Sequence, residues 1–251
     1  LWAALTAALA RQEMGDTPKN HNKYQEIGKE LQRSYRFSYL YPSERCDGEW
    51  RAWLPFFAKG NLYWRKEAKF DITLHSAFRG RLLDSRPGTA IDPCTDSAAE
   101  KSLHETEVVN SWWRGSQGSK AGPVAMIGYL FCRKHSTYSD LREVNLLYIG
   151  GDTRYGLGKL VRVEMEKAEH FFEYDVQPDQ DDPKVFSNVV LAHTKADTKN
   201  DLICGALERL GGWNMGTPIS MADTPFWIPG SRLTSEKWHK ILDNGTWKTL
   251  L

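Results

Sequence analysis

The spacing of apolar side chains changes from helical to strand-like early in this chain, and this change constrains the fold more than any other sequence feature. Residues 1–13 place apolar side chains on one helical face, and Tyr24, Ile27 and Leu31 predict a second short helix. From Tyr35 to Tyr41 an aromatic residue stands at every second position, which predicts a strand. Because the elements that follow do not alternate regularly, the pattern favours an α+β fold built on antiparallel sheet.

The later elements are shorter. The pattern predicts strands over residues 53–57, 62–65, 70–75, 107–109, 124–132 with a break at Gly128, and 160–166, and helices over residues 140–149, 201–210 and 235–242. Residues 80–110 are different, because they are rich in Arg, Asp, Ser and Pro and have little periodicity. A loop of that length inside a domain is usually functional or disordered.

Composition excludes several classes of protein. Apolar residues make up 41% of the 251 and charged residues 26%, as in soluble globular proteins. The net charge of +1 argues against a polybasic protein but permits a local basic groove. The four cysteines form no CxxC pair and no apolar run is long enough to span a membrane, so we expect reduced thiols, a cytoplasmic location and no metal or cofactor. The chain begins within a helical pattern and without Met, so we expect sequence upstream of Leu1.

A glycine-rich turn runs from Gly150 to Lys159. It is not a Walker phosphate loop, because Thr153 stands where that motif needs glycine and Leu160 follows the lysine. It is not a dinucleotide fingerprint either, because a predicted helix precedes it and a predicted strand follows. A nest of main-chain amides can hold phosphate, and Arg154 and Tyr155 would add a cation and a stacking face. A tight turn that serves only the local fold is the alternative.

This turn, GGxxxxGxG with a basic residue ahead of a strand, resembles the G-loop of the RAMP superfamily of CRISPR-associated proteins. The stretch from Arg86 to Glu107 is similar to the segment R-x-x-(V/I)-x-I-D-x-x-T-G-x-A-x-x-G-x-L-(Y/F)-x-x-E of type III effector subunits, although Asp96-Ser97 replaces Thr-Gly and Lys101-Ser102 replaces glycine. Residues 1–6 resemble the first helix of subunits that cap the guide-RNA 5′ handle. Residues 37–42, 53–55 and, more weakly, 228–231 fit later family segments. The main matches end near residue 166.

The resemblance implies a ferredoxin-like (RRM-like) core over residues 1–166, with its first strand upstream of Leu1. Residues 80–110 would form the family's β-hairpin thumb, which intercalates at the guide–target duplex. Residues 167–251 would be a C-terminal extension or a degenerate second half of the fold. The implied partners are guide RNA, target RNA, the large signalling subunit and the backbone subunits of a type III effector complex.

The RNA contacts that follow fall into two groups. The resemblance assigns the RNA backbone to the turn, at Gly150, Gly151, Arg154, Tyr155, Gly156, Gly158 and Lys159, and assigns Arg86, Ile91 and Asp92 to the thumb. Charge and stacking add Arg79, Arg81, Arg86, Arg114 and Lys120 as phosphate ligands, and Trp112 and Trp113 as stacking residues. A solvated rim with tryptophans packed under the loop is the alternative. For Tyr35, Arg36 and Tyr39 we favour core packing over a stacking platform.

Four functions remain open at this stage. The primary hypothesis is a non-catalytic RNA-binding subunit that holds the guide-RNA 5′ handle and helps position target RNA in antiviral defence. A backbone subunit would instead cut target RNA with an acid such as Asp92, although a turn-capping role suits that residue better. A guide-processing endoribonuclease would use a histidine such as His21 as general base. The fourth possibility is a module whose aromatic patches dock protein partners.

Overall fold

Strands dominate the described part of the chain, and its three helices lie in the first third. A computed structural model describes residues 1–15, 21–68, 71–115, 121–133, 141–178, 182–196, 202–214 and 217–250. The helices are α1 (Trp2–Met14), α2 (His21–Ser34) and α3 (His75–Leu82). The strands are β1 (Tyr35–Phe37), β2 (Tyr41–Cys46), β3 (Glu49–Ala58), β4 (Asn61–Lys66), β5 (Ile72–Leu74), β6 (Leu83–Gly88), β7 (Ile91–Asp92), β8 (Ser97–Ala98), β9 (His104–Val109), β10 (Trp112–Trp113), β11 (Gly122–Ile127), β12 (Leu130–Cys132), β13 (Leu146–Tyr148), β14 (Lys159–Val161), β15 (Asp175–Gln177), β16 (Lys184–Val189), β17 (Thr194–Lys195), β18 (Leu202–Cys204), β19 (Leu207–Glu208), β20 (Gly211–Asn214), β21 (Thr217–Met221), β22 (Phe226–Trp227), β23 (Arg232–Ile241) and β24 (Trp247–Thr249).

Two larger sheets organise these strands. The first has the order β10-β11-β2-β3-β4-β5, and the second has the order β15-β16-β23-β24-β17-β22-β19, with β18 paired to β23. Every described pairing is antiparallel except that of β17 with β24, as the sequence pattern predicts for an α+β fold. Among the helices in the described ranges, none is long and apolar enough to cross a membrane.

The first two helices pack on each other and confirm the two helices that the sequence predicts. Leu5 and Leu9 of α1 are buried in one cluster with Ile27 and Leu31 of α2. The indole nitrogen of Trp2 donates a hydrogen bond of 2.8 Å to the carbonyl of residue 28, where a glycine permits the close approach. This helical layer forms the base on which later elements rest.

The two sheets share one hydrophobic core. Tyr41 and Leu54 of the first sheet are buried with Val185 and Trp247 of the second. The hydroxyl of Tyr41 donates a hydrogen bond of 2.6 Å to the carbonyl of Leu191, across the same contact. Residues on both sides of position 166 are therefore packed together.

Residues 83–109 form a hairpin, which lies within the residues 80–110 that the family resemblance assigns to the thumb, while residues 80–82 end helix α3. Strand β6 pairs with β9 from Leu83↔Val109 to Gly88↔His104, and the short β7–β8 hairpin lies at the tip. The sequence pattern missed helix α3, which begins at His75 where a strand over 70–75 is predicted. Only Ile72–Leu74 is a strand, and Phe70 lies outside the described residues.

Three predicted helices are wrong. In place of the helix over 140–149, residues 141–143 form a 3₁₀ turn and Leu146–Tyr148 is a strand. In place of the helix over 201–210, residues 202–204 and 207–208 are strands. The helix over 235–242 is replaced by the end of strand β23. Residues 140 and 201 lie outside the described ranges. Over so short a segment, the apolar residues of β23 fit both the helical and the strand spacing. Hydrogen bonding to β16 and β24 makes the segment a strand.

The predicted strand from Tyr35 to Tyr41 is divided between two sheets. Strand β1 pairs with β12, whereas β2 begins at Tyr41 and pairs with β11. Ser38 lies at the division, where its amide donates to the carbonyl of Tyr129 at 3.0 Å. The predicted break at Gly128 is confirmed, because β11 ends at Ile127 and β12 begins at Leu130. A Cβ at Gly128 would lie 2.7 Å from the Leu40 side chain. The strand predicted over 160–166 ends at Val161.

A buried ionic cluster fixes the base of the hairpin to the first sheet. The Glu44 carboxylate on β2 accepts hydrogen bonds of 3.0 Å from Arg81 of α3 and from Lys66 of β4. Trp53 donates a third, of 3.3 Å, to the same carboxylate. Burial opposes ionisation, but the bonds from Lys66 and Arg81 outweigh it and hold the pKa of Glu44 below its ordinary value.

We predict that Glu44→Gln lowers the free energy of unfolding at pH 7 by about 3–5 kcal/mol, because buried Arg81 loses its counterion and Lys66 keeps only the exposed carboxylate of Asp71, at 3.0 Å. Denaturant titration from pH 7 to pH 3 measures this. A carboxyl whose folded-state pKa is depressed stabilises above its unfolded pKa, which is ordinarily 4.5, and loses that contribution as pH falls through the folded value. The wild-type advantage therefore shrinks below about pH 4.5.

Glu49→Gln is the matched control, since Glu49 is 68% exposed and pairs with Arg51 at the surface. Its loss should cost at most about 1 kcal/mol. Equal effects of the two substitutions would show that the Glu44 cluster does not anchor the hairpin.

Candidate RNA interface

The glycine-rich turn forms the end of a two-stranded hairpin. Strands β13 and β14 pair antiparallel from Leu146↔Val161 to Tyr148↔Lys159, and the amide of Ile149 donates to the carbonyl of Gly158 at 2.9 Å. The loop between them, residues 149–158, is called here the G-hairpin loop. A strand and not a helix precedes it, which corrects the sequence prediction, and no helix follows directly, so the dinucleotide-binding arrangement is still excluded.

Glycine is required at the closing position of this loop. Gly158 has a φ of +69°, and a Cβ there would lie 1.8 Å from the carbonyl oxygen of Ile149. Gly150 and Gly156 also have positive φ, but the space beside them is open. Asp152 adopts the left-handed conformation just before a 3₁₀ turn over Thr153–Tyr155. The loop is therefore closed tightly at its root and open at its tip.

The loop and the first residue of β14 expose the groups that the sequence analysis assigns to RNA. Tyr155 is 78% exposed, and Arg154 and Lys159 are exposed as well. Among the described residues, none forms an ion pair with either cation or accepts a hydrogen bond from the amides of Gly150 and Gly151. The loop thus presents two cations, one aromatic ring and main-chain amides together, which is the chemistry of a phosphate and base contact.

The helical layer holds the root of the G-hairpin, which consists of strands β13 and β14 and the loop between them. Leu147 of β13 packs against the cluster that contains Leu141 and Val144. Arg162, just after β14, donates 3.3 Å and 2.6 Å hydrogen bonds to the Leu141 carbonyl and the Asn145 side chain. These contacts fix the direction in which the loop leaves the protein, while the tip stays uncovered.

The hairpin of residues 83–109 exposes the thumb residues. Arg86 is exposed on β6, and Ile91 at the tip is 60% exposed. Asp92 is half-buried, and its carboxylate accepts a 2.8 Å hydrogen bond from the amide of Cys94. This is the turn-capping contact that the sequence analysis favours for Asp92.

The remaining predicted arginines are engaged within the protein. Arg79 forms an ion pair with Glu107 across the base of the hairpin. Arg81 is buried, bonded to Glu44, and lies 5.1 Å over the ring of Trp113. Arg114 pairs with Asp84 at 2.6 Å, and Lys120 lies outside the described residues. Arg81 therefore serves the fold and is not placed to meet a polymer.

Adjacent tryptophans have opposite environments. Trp112 is 61% exposed, whereas Trp113 is 1% exposed and donates a 3.0 Å hydrogen bond to the carbonyl of Ser43. Strand alternation in β10 explains the difference, and only Trp112 can stack on a base. Tyr35 and Arg36 are buried, consistent with the core-packing role favoured for them.

The structure also exposes apolar side chains to which the sequence analysis gave no function. Leu146 of β13, Val161 of β14, and Val163 and Met165 after β14 are all exposed. Their alternation with charged residues over positions 161–166 was the available signal. His21 is the first residue of α2, and its side chain lies outside what the structure describes. Within the described residues no group of three or more His, Cys, Asp or Glu side chains could hold a metal ion.

We predict that Gly158→Ala disrupts the G-hairpin, because the new methyl group would overlap the Ile149 carbonyl. Gly151→Ala is the matched control, since Gly151 lacks a positive φ and has open space beside it. Hydrogen exchange of residues 146–161, followed by mass spectrometry, measures the effect. Exchange should increase at least about tenfold in the first variant and stay unchanged in the second; equal protection in both would contradict this account of the loop.

Comparison with known proteins gives a likeness of fold. No family model matches the chain, and no curated protein matches its sequence. A chain in the cryo-EM structure of the Type III-B Cmr-β complex bound to cognate target RNA matches with a TM-score of 0.50 and 11% identity, covering 92% of this chain and 73% of that one. A chain of Cmr-β bound to cognate target RNA and AMPPnP (state 1) gives 0.51 and 11%, with 91% and 74% covered. The chain thus resembles a subunit of a Type III-B Cmr CRISPR effector complex in fold, at low sequence identity.

Proposed function

We propose that this chain is an RNA-binding subunit of a type III CRISPR effector complex, and that it holds the guide-RNA 5′ handle and helps position target RNA. The observation that carries the proposal is the exposed G-hairpin loop, where Arg154 and Tyr155 lie at the tip and Lys159 lies at the start of β14, while the amides of Gly150 and Gly151 have no acceptor among the described residues. The fold likeness to a subunit of an RNA-bound Cmr complex supports it from an independent direction.

In the proposed contact, each group of the loop binds a different part of the RNA. Arg154 and Lys159 would neutralise phosphates, and each neutralised phosphate releases condensed counterions. The ring of Tyr155 would stack on a base, a contact that tolerates any sequence because every base has a π-face. The amides at Gly150 and Gly151 would hold a phosphate oxygen without side-chain competition. Such a site binds a strand by its backbone and suits a guide whose sequence varies.

The thumb would contribute a different contact. Ile91, Leu103 and Trp112 present exposed apolar surface on or beside the hairpin of residues 83–109. Apolar side chains inserted between base steps unstack them at a cost of a few kcal/mol each. We infer that this hairpin meets the guide–target duplex, with Arg86 on a phosphate, and that the guide RNA, target RNA, signalling subunit and backbone subunits are the partners.

Cleavage of target RNA by Asp92 is the alternative, because this acid lies at the tip of the hairpin that we place against target RNA. Its test is incubation of the assembled complex with labelled target RNA and a divalent metal ion. Cleavage that is lost in Asp92→Ala while RNA binding stays intact would favour this alternative. Unchanged RNA in both preparations supports the non-catalytic proposal.

We predict that Arg154→Ala with Lys159→Ala weakens binding of single-stranded guide RNA and flattens the plot of log K against log salt by about 1.4 units, since two phosphate contacts are lost. Fluorescence anisotropy with labelled RNA, at salt concentrations from about 50 to about 300 mM, measures the slope. Arg209→Ala with Lys248→Ala changes the net charge equally at exposed positions on or beside the second sheet and should leave the slope unchanged. Equal slopes for all three proteins would rule out the loop contact.

A further inference from the structure

A cleft lies where the two large sheets meet. Its volume is about 300 Å³. Strands β3, β4 and β5 supply one wall, and residues on or beside β15, β16 and β23 supply the other. The lining residues are Leu54, Pro55, Phe56, Arg65, Ile72, Tyr174, Asn188, Val189 and Arg232. None of them belongs to the G-hairpin loop or to the hairpin of residues 83–109, so the cleft is separate from the RNA contact proposed above.

The two arginines of the cleft differ in their partners. Arg65 forms an ion pair with Glu173. Arg232 is half-buried and, among the described residues, has no acidic partner within ion-pair distance. A guanidinium stays charged at every physiological pH, and a charge that is partly removed from water is unfavourable unless an anion meets it. Arg232 therefore presents to the cleft a fork-shaped donor set that has no acidic partner among the described residues.

Other polar groups add to the recognition of an anion. Tyr174 is largely buried beside Arg65, and burial raises the pKa of its hydroxyl, which thus stays protonated and able to donate. Asn188 supplies an amide at the same lining. The turn before Arg232 is held firmly, because the amide of Gly230 donates to the Val190 carbonyl at 2.7 Å and Val190 donates to the Ser231 carbonyl at 2.9 Å. The guanidinium consequently starts from a rigid backbone.

The rest of the lining is apolar and includes a flat ring. Pro55, Phe56 and Ile72 form this part, and Phe56 is itself stacked on Tyr63 with 5.6 Å between the ring centroids. An anion alone would need no such wall. The cleft is also at the lower end of the ~300–1,000 Å³ typical of ligand pockets, which suits one small molecule or one chain end.

We propose that this cleft binds a nucleoside monophosphate, with the phosphate on Arg232 and Asn188 and the base against Phe56 and Ile72. The ligand is either a free nucleotide or the 5′-phosphorylated end of an RNA strand, since both present the same chemistry. The proposal stands apart from the function proposed above and survives if the G-hairpin loop does not contact RNA.

The experiment is calorimetric titration of the full chain with AMP, adenosine and inorganic phosphate. AMP binds at least about tenfold more tightly than adenosine, because a charge-assisted hydrogen bond to phosphate is lost with the nucleoside. Inorganic phosphate competes with AMP. Wild-type protein that does not bind AMP at millimolar concentration, binds adenosine equally well, or shows no competition overturns the proposal without any variant.

Two variants then place the site. Arg232→Gln weakens AMP binding at least about tenfold, and Arg232→Lys weakens it less, because the charge remains and the fork is lost. Melting temperatures check that both are folded. AMP affinity equal to wild type in a folded Arg232→Gln protein overturns the assignment.

The Arg154→Ala, Lys159→Ala protein separates this proposal from the RNA contact, because it should keep wild-type affinity for AMP. Loss of AMP binding in that protein would place the nucleotide on the loop and overturn the cleft. In the same protein, binding of a short RNA with a 5′-phosphate but not a 5′-hydroxyl identifies an RNA end as the ligand, and preference for AMP over that RNA identifies a free nucleotide.

Discussion

The carboxylate of Glu44 connects the first sheet to the projecting hairpin of residues 83–109. It receives Arg81 from the helix that starts the insertion and Lys66 from β4, and both cations also lie over buried tryptophan rings. Removing charges from water costs several kcal/mol per ion, so such a cluster is stable only because each member is hydrogen-bonded. The cluster also fixes where the hairpin leaves the sheet. The hairpin leaves the sheet from a point that is fixed by charge as well as by packing, and its tip can remain uncovered.

The G-hairpin loop is held by a different means, which is steric. Gly158 closes the loop against Ile149, and the helical layer holds its root, so the tip needs no side-chain contacts of its own to keep its shape. Arg154 and Lys159 remain available for a ligand for that reason. The same contrast applies to Arg65 and Arg232 in the cleft, where one cation is matched by Glu173 and the other is not. In both places, cations that have no acidic partner among the described residues are the ones that we propose to meet an anion.

Local pattern predicted the first two helices, the break at Gly128 and the antiparallel α+β class, and the family resemblance implied a type III effector subunit with a hairpin within residues 80–110. The predictions that were wrong have physical causes. Helices expected near 145, 205 and 238 are strands, because long-range pairing decides short apolar runs whose period is ambiguous. Arg81 and Trp113 look like RNA ligands in the sequence, but both are buried. The sequence could not show this, because Arg81 is bonded to Glu44, which is distant along the chain, and lies over the ring of Trp113. Arg232 could not be foreseen at all, because its cleft exists only where two sheets meet.

Contact between the tip of the G-hairpin loop and RNA is tested most directly by ultraviolet crosslinking of the RNA-bound chain, followed by mass spectrometry of its peptides. Tryptic cleavage after Arg154 and Lys159 isolates Tyr155 in a five-residue peptide. The account predicts a nucleotide adduct on that peptide, centred on the Tyr155 ring. Adducts found only elsewhere, on a chain that demonstrably holds RNA, would contradict it.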